Sequence, residues 1–217
     1  MLSEEGYKVT DKGMNAQHLG LLHEVVREDV RAGRYHGAVI KVGRGGQTVF
    51  EAAIGSADAA QTQPLRLDSV FNIFSVTKAF TNLLVLRAIE QGRFGLTTPI
   101  SELIPEFSGH GREKILMWHL LSHQAGFPII FEVKPGWYIN DFAEVSATVI
   151  AEVKPVDAPC AKVSYSPLVN HVLMAEALLR TDPLRRGYRQ LVQQEILDPL
   201  QMRDTAVGLR ADLKPRK

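Results

Sequence analysis

The run Ala79–Glu90 is the most apolar helical stretch of the chain, and Gly92 ends it. Its opening segment, Phe71-Asn72-Ile73-Phe74-Ser75-Val76-Thr77-Lys78, places a serine at the mouth of the helix and a lysine three residues on. Positions i and i+3 share a helix face, so the Ser75 hydroxyl and the Lys78 amine can meet. Two readings of Ser75 are open. It is either an N-cap, as serines before apolar helical runs commonly are, or a nucleophile. A capping box would put Glu or Gln where Lys78 stands. A cation in the first turn opposes the helix dipole, at a cost of roughly 0.3–1 kcal/mol when exposed. Phe71, Phe74 and Phe80 flank the lysine in sequence, and an apolar setting would disfavour its charged form. An amine biased toward neutrality beside a hydroxyl is a way to activate serine without histidine.

The remainder of the chain sets bounds. Its 217 residues fit one large domain or two small ones, with 45% hydrophobic and 23% charged residues as in ordinary globular proteins. A formal net charge of +1 gives no electrostatic case for nucleic acid or an anionic membrane. The one basic cluster, Arg185-Arg186 with Arg180 and Arg189, reads as a solvated helix face. Cys160 is the single cysteine, which excludes an intrachain disulfide and a Cys-rich zinc site. Met1–Lys8 carry acids and no apolar core of a signal peptide, and no apolar stretch reaches the ~18 residues of a membrane span. A cytoplasmic location is the expectation.

Residues 15–33 read as an amphipathic helix with Leu19, Leu22, Val26 and Val30 on one face. Ala38–Gly43 and Gln47–Ile54 form a hairpin pattern joined through Arg44-Gly45-Gly46, followed by a polar loop over 56–68. An isolated hairpin is marginal in water, so further strands are required, and none is patterned after Ile54. The run 112–123 reads as a helix with Ile115, Trp118 and Leu120 or Leu121 inward. His119 and His123 stand four apart, but Leu120 occupies the place where a zinc helix carries its acid, so a structural pair is expected and no metal. Residues 127–163 are interrupted by Pro128, Pro135, Pro155 and Pro159 around one helix, 140–152. They are a candidate cap over a pocket or a plain surface excursion. Ser166 as N-cap and Pro167 at the first helical position start a helix over 168–180. Tyr165 stands just outside it. A last helix covers 185–198, and 209–217 are polar.

Phe-Ser-Val-Thr-Lys at 74–78, Leu-Leu-Ser-His-Gln-Ala-Gly-Phe at 120–127, Val-Ser-Tyr-Ser at 163–166 and the closing Ile196–Thr205 stretch come in an order that resembles serine β-lactamase-like proteins. The resemblance runs from the hairpin onward and is closest to class C β-lactamases and the related carboxylesterases and acyltransferases. It implies an α+β fold of the β-lactamase/transpeptidase type, an antiparallel sheet flanked by helices with a helical region. It also implies that Ser75 is the acylated nucleophile, that Lys78 helps deprotonate it and that Tyr165 shuttles the proton. No cofactor is implied. The Ser75 amide would be one oxyanion donor.

Two departures qualify the resemblance. The family's Tyr-x-Asn reads Tyr165-Ser166-Pro167 here, which removes an amide-holding side chain and tilts the expectation from β-lactams toward a small acyl ester. The family's Lys-Thr-Gly strand motif, or its His/Trp-x-Gly variant, does not follow Thr205. The expectation is one incomplete domain, truncated before the later strands, with helix and hairpin over 1–68, the motif-bearing helical region over 69–205 and a tail over 206–217. A complementing C-terminal segment or a partner protomer would fill the sheet and supply the second oxyanion donor. The leading function is ester hydrolysis or transesterification through an acyl-enzyme. A β-lactamase or D-amino-acid peptidase-like amide hydrolase, and a catalytically inactive binding protein, are the alternatives.

Overall fold

The computed structural model describes residues 7–9, 13–132, 141–208 and 210–216. By its contacts the chain divides into two compact units. One holds the described residues up to Asn72 together with 210–216, and the other runs from Ile73 to Gly208.

In the first unit, strand β1 (Tyr7–Val9), helix α1 (Ala16–Arg31) and strands β2 (Gly37–Arg44) and β3 (Gln47–Gly55) build an antiparallel sheet of order β1-β3-β2 backed by one helix. Asn15 caps α1, its side chain accepting the His18 amide at 3.1 Å. Leu19, Leu22, Val26 and Val30 of α1 pack with Val49, Phe50, Ala52 and Ile54 of β3, so the apolar stripe read from the sequence is the buried one. The hairpin closes through Gly45 and Gly46 at φ +55° and +73°. Two consecutive positive φ angles match the right-handed strand twist, and glycine takes them without a Cβ clash. The hairpin is not solitary. Tyr7 pairs with Ala52 and Val9 with Phe50, so one edge of β3 is filled from upstream in the chain. A three-residue strand is too short to show period-2 patterning, which is why the sequence reading has no strand there. The end of the chain joins this unit too, the Arg216 carbonyl accepting the Val70 amide at 2.7 Å.

The second unit is helical: α2 (Lys78–Glu90), α3 (Ile100–Leu103), α4 (Met117–Leu121), α5 (Phe142–Glu152), α6 (Val169–Thr181) and α7 (Tyr188–Val192). Helix α6 is its pillar. It packs against α2, α3, α4 and α5, and buries Val169, Val172, Leu173, Met174, Ala177 and Leu178. Each such side chain is worth roughly 1.5–3 kcal/mol when fully removed from water. Around it lie Leu84, Val85 and Ala88 of α2 with Ile100, Ile104, Phe107, Ile115, Met117 and Leu120. The opposite side of α2 is apolar and open, with Leu83 and Leu86 exposed, as is Val76 in the turn before it.

Several boundaries differ from the sequence reading, each for a visible reason. The run 112–123 is not one helix. A 3₁₀ turn at Arg112–Lys114 is followed by extended backbone at Ile115 and Leu116 before α4. Arg112 breaks the run because it is buried and donates to the Ile150 carbonyl at 3.0 Å, satisfying the end of α5. Helix α5 is no cap, since it places Val145, Val149 and Ile150 in the core and Ser146 Oγ donates to Glu176 at 2.7 Å. Residues 133–140, Pro135 among them, lie outside the described residues. The final helix starts at Tyr188 rather than 185 and ends in a π-turn, Gln193–Leu197. Arg186 is held in front of it, donating to buried Asp182 at 2.8 Å and to Glu195 at 2.8 Å. Arg180 is likewise paired, with Glu176 and Glu106. Within the basic cluster, Arg186 and Arg180 are thus ion-paired, while Arg185 and Arg189 are exposed, as a solvated face would have them.

Candidate active site

Ser75 sits in a 3₁₀ turn, Phe74–Thr77, that runs into α2. Neither helical start is capped by a side chain, so the Ser75 hydroxyl is not spent on an amide of its own helix. Directly before it Phe74 adopts φ +44°, a left-handed conformation that costs a bulky residue about 1–2 kcal/mol. Such strain persists where the surroundings over-determine the backbone, and it clusters at sites of function. Ser75, the next residue, is exposed at the mouth of α2.

Two groups converge on Ser75 Oγ. Lys78 Nζ donates to it at 3.4 Å, as the i, i+3 spacing requires. The Tyr165 hydroxyl donates to it at 2.8 Å from 90 positions along the chain. Lys78 makes a shorter bond to the Pro167 carbonyl, at 2.8 Å, and its Nζ lies 5.4 Å from the Tyr165 ring centroid. All three sequence-predicted residues are thus within one hydrogen-bonded cluster. The apolar wedge expected around Lys78 is different. Phe74 is 78% exposed and does not cover the amine, whose partners are a hydroxyl and a carbonyl.

The bond to Pro167 also explains a shift at α6. The sequence reading makes Ser166 the N-cap and Pro167 the first helical residue. The helix starts at Val169 instead, with the His171 amide donating to Leu168, though the Ser166 hydroxyl still caps it, accepting the Asn170 amide at 3.3 Å. Left out of the helix, the Pro167 carbonyl is free to take Lys78. Helices α2 and α6 pack together, and their N-terminal ends meet through this bond.

The electrostatics follow from one cation among neutral rings. The hydrogen bond with Ser75 favours the Tyr165 phenolate, and Lys78 adds to this by hydrogen bond and charge, so the phenol titrates below its usual range against a partial desolvation penalty. His123, 4.9 Å from the Tyr165 ring, is held below the usual histidine range by burial and then by Lys78. His171 is pushed down to about 3 by burial, Lys78 and His123. The site therefore holds its histidines neutral and its tyrosine acidic, a pattern suited to moving a proton off a hydroxyl.

The two histidines of α4 and its edge do separate structural jobs. His119 Nδ1 accepts the Leu116 amide at 3.0 Å, and its Nε2 lies 3.3 Å from Cys160 Sγ. His123 Nδ1 accepts the Ser166 amide at 2.9 Å. The segment 123–126 holds the segment that carries Tyr165. Gly126 O accepts the Val156 amide at 2.9 Å, Gln124 O the Cys160 amide at 2.9 Å and His123 O the Ser164 amide at 2.9 Å. Gly126, at φ +77°, leaves no room for a Cβ, which would fall 2.1 Å from the Asp157 carbonyl oxygen. Sequence reasoning gave these residues no role in the site. The signal available was the motif at 120–127 itself.

Comparison with known proteins places this chain in a family. The family model described as Beta-lactamase matches residues 22–217. Among curated proteins the chain is 36% identical over 109 residues to Esterase EstB of Burkholderia gladioli, covering 48% of this chain and 28% of that protein. It is 27% identical over 181 residues to the D-alanyl-D-alanine-carboxypeptidase/endopeptidase AmpH of Escherichia coli, covering 78% of this chain and 44% of that one. Among solved structures, a penicillin-binding protein homolog from Caulobacter crescentus superimposes with a TM-score of 0.76 at 25% identity, over 95% of this chain and 55% of the other. A family VIII carboxylesterase has the same fold, with a TM-score of 0.78 at 24% identity over 94% of this chain and 56% of its own. The chain spans about half the length of these structures and less of the curated relatives. No helix of the described residues is long and apolar enough to cross a membrane. The chain belongs to the Beta-lactamase family.

Proposed function

We propose that this chain carries the nucleophile and proton-transfer half of a serine hydrolase that works through an acyl-enzyme on a small acyl ester. The observation that carries the reading is the convergence of the Tyr165 hydroxyl and the Lys78 ammonium on Ser75 Oγ, at 2.8 and 3.4 Å. The Tyr165 phenol, 46% exposed, first releases its proton to bulk water, a loss that the bonds and charge of Ser75 and Lys78 favour. The phenolate then takes the Ser75 proton as Oγ attacks the ester carbonyl, forming the C–O bond of a tetrahedral intermediate. Collapse of that intermediate breaks the bond to the alcohol, which leaves with the proton returned by Tyr165. Water or a second alcohol repeats the sequence on the acyl-Ser75 ester and regenerates the hydroxyl.

Ester is favoured over β-lactam because Pro167 offers only a backbone carbonyl, and Lys78 occupies it. Similarity to AmpH supports the second reading, amide hydrolysis. Labelling of Ser75 by a fluorophosphonate tests the nucleophile, and relative turnover of a p-nitrophenyl short-chain ester and a chromogenic cephalosporin tests the substrate class. Efficient cephalosporin cleavage with poor ester cleavage would overturn the preference.

We further propose that turnover needs polypeptide beyond these 217 residues, as a C-terminal complement or a partner protomer. In the helical unit such a segment would cover the open apolar face of α2, Leu83 and Leu86, and in the sheet unit it would cover the outer edge of β2, unpaired among the described residues. It would also supply the second oxyanion donor, whose loss typically costs about 10²–10³ in rate. Full esterase activity in the 217-residue chain as a monomer would refute this.

A further inference from the structure

Beside the serine site lies a group that the reaction scheme does not use. His123 adopts φ +56°, a left-handed conformation unusual for histidine, and grips the segment carrying Tyr165 at two points. Its carbonyl accepts the Ser164 amide at 2.9 Å, and its ring Nδ1 accepts the Ser166 amide at 2.9 Å. Tyr165 is the residue between them, and its ring stands 4.9 Å from the imidazole. Asn170 Nδ2, itself buried and anchored on the Leu120 carbonyl at 2.8 Å, points at the same Nδ1 from 3.3 Å. A backbone amide can only donate, so Nδ1 must carry a lone pair. The ring is therefore neutral with its proton on Nε2, the tautomer that this arrangement demands.

We propose that His123 is a positioning residue for Tyr165: its Nδ1 fixes the Ser166 amide and its ring backs the phenol, so that the hydroxyl stays on Ser75 Oγ. Tyr165 needs such support because it is 46% exposed and lies in an irregular segment, outside any helix or strand. With its neighbours on both sides bonded to one residue, the segment has little freedom to swing. Protonation of Nδ1 would replace the acceptor with a donor facing two donors, releasing the Ser166 amide. The titratable groups facing the ring are Tyr165 from the 163–166 segment, Lys78 from α2 and His171 from α6. The cation and the burial both oppose that protonation, so the grip persists to pH values below the usual histidine range.

The test compares His123→Leu with His123→Asn in the full chain. Asparagine places a carbonyl oxygen where Nδ1 stands and tolerates a positive φ, while leucine removes the acceptor. The Ser166 amide, the Tyr165 phenol titration and the rate of Ser75 labelling by a fluorophosphonate are the three readouts, the first two by NMR. With leucine, Ser166 amide exchange should quicken roughly five- to tenfold, the loss of one net hydrogen bond. The Tyr165 titration should move back toward 10, and labelling should slow about tenfold or more. With asparagine all three should stay within about threefold or half a pH unit of wild type. A leucine variant that matches wild type in the amide and phenol readouts overturns the proposal, as does an asparagine variant no better than leucine.

If leucine prevents folding, acid titration of the wild type decides. The Ser166 amide resonance should move with the same midpoint as the His123 imidazole, and an amide that ignores that protonation overturns the proposal. The rate readout rests on the acyl-transfer reading. A wild type that does not label even with its downstream polypeptide supplied sinks that reading, while the amide and phenol titrations still judge His123.

Discussion

Lys78 Nζ is closer to the Pro167 carbonyl, at 2.8 Å, than to Ser75 Oγ, at 3.4 Å. The lysine is thus anchored by a backbone group at the position where the resemblance leads one to expect an asparagine side chain. Proline contributes twice there. It has no amide to donate, and its carbonyl, left outside α6, is the acceptor that holds the amine.

Ser75→Ala should abolish fluorophosphonate labelling and any ester turnover, with a loss of roughly 10³-fold or more for a residue of a unit that acts together. Its effect on stability should stay within about 0.5 kcal/mol, because the side chain is exposed and caps no helix. Lys78→Ala should cost nearly as much activity. Labelling that survives Ser75→Ala, located by peptide mapping, would identify another nucleophile.

Tyr165 should titrate below the ordinary tyrosine value, as followed by ¹³Cζ chemical shift. Labelling of Ser75 should rise with pH through that midpoint and level off above it. Lys78→Met removes the cation and one hydrogen bond, so the titration should move up toward 10. Tyr165→Phe should leave no alkaline rise and slow labelling by about 10²-fold, in the range for a general base. A Tyr165 midpoint at or above 10 in the wild type would contradict the scheme.

Gly126→Ala and Gly92→Ala should differ sharply although both glycines have positive φ, +77° and +71°. At Gly92 nothing lies within 4 Å of a new Cβ, so only the conformational penalty of about 1–2 kcal/mol applies. At Gly126 the Cβ meets the Asp157 oxygen at 2.1 Å, and about 3 kcal/mol or more should be lost. Because that strand of bonds leads on to Tyr165, Ser75 labelling should also slow in the Gly126 variant alone. Denaturant midpoints and labelling rates on the two variants check both points.

Stability should decline on acidification in two separable ways. His171, held at about 3, has both ring nitrogens buried without a hydrogen-bond partner among the described residues. Between about pH 6.5, the unfolded value, and 3 the unfolded chain binds more protons, so stability falls as pH drops through that window. His171→Leu should flatten the slope and raise the melting temperature. Asp182 contributes at the acid end of that window and below it. Its carboxyl is depressed chiefly by hydrogen bonding to Arg186, and that stabilisation is full above the ordinary carboxylate value and lost as pH falls through the depressed one. Asp182→Asn should remove this second, more acidic transition and cost about 3 kcal/mol at neutral pH, as for a broken buried pair. Melting curves carried from about pH 8 down to about pH 2 distinguish the two.

The sequence alone determined what depends on neighbours along the chain. Apolar patterning and helix start signals located α1, α2 and α6, two glycines located the hairpin turn, and the i, i+3 rule put Ser75 and Lys78 on one face. The fold was legible through the order of the motifs, which resembles that of serine β-lactamase-like proteins. Only the tertiary structure decided the rest. Pro167 holds Lys78 through a carbonyl, the N-terminal strand fills an edge of β3 through amides and carbonyls, and segment 123–126 grips the Tyr165 segment largely through main-chain bonds. Every residue carries those groups, so no letter of the sequence marks where they act. His123 shows the same limit in a side chain. A lone imidazole reads as metal ligand, core residue or catalyst until the fold shows which donors reach its Nδ1, and here one of them is the amide next to Tyr165.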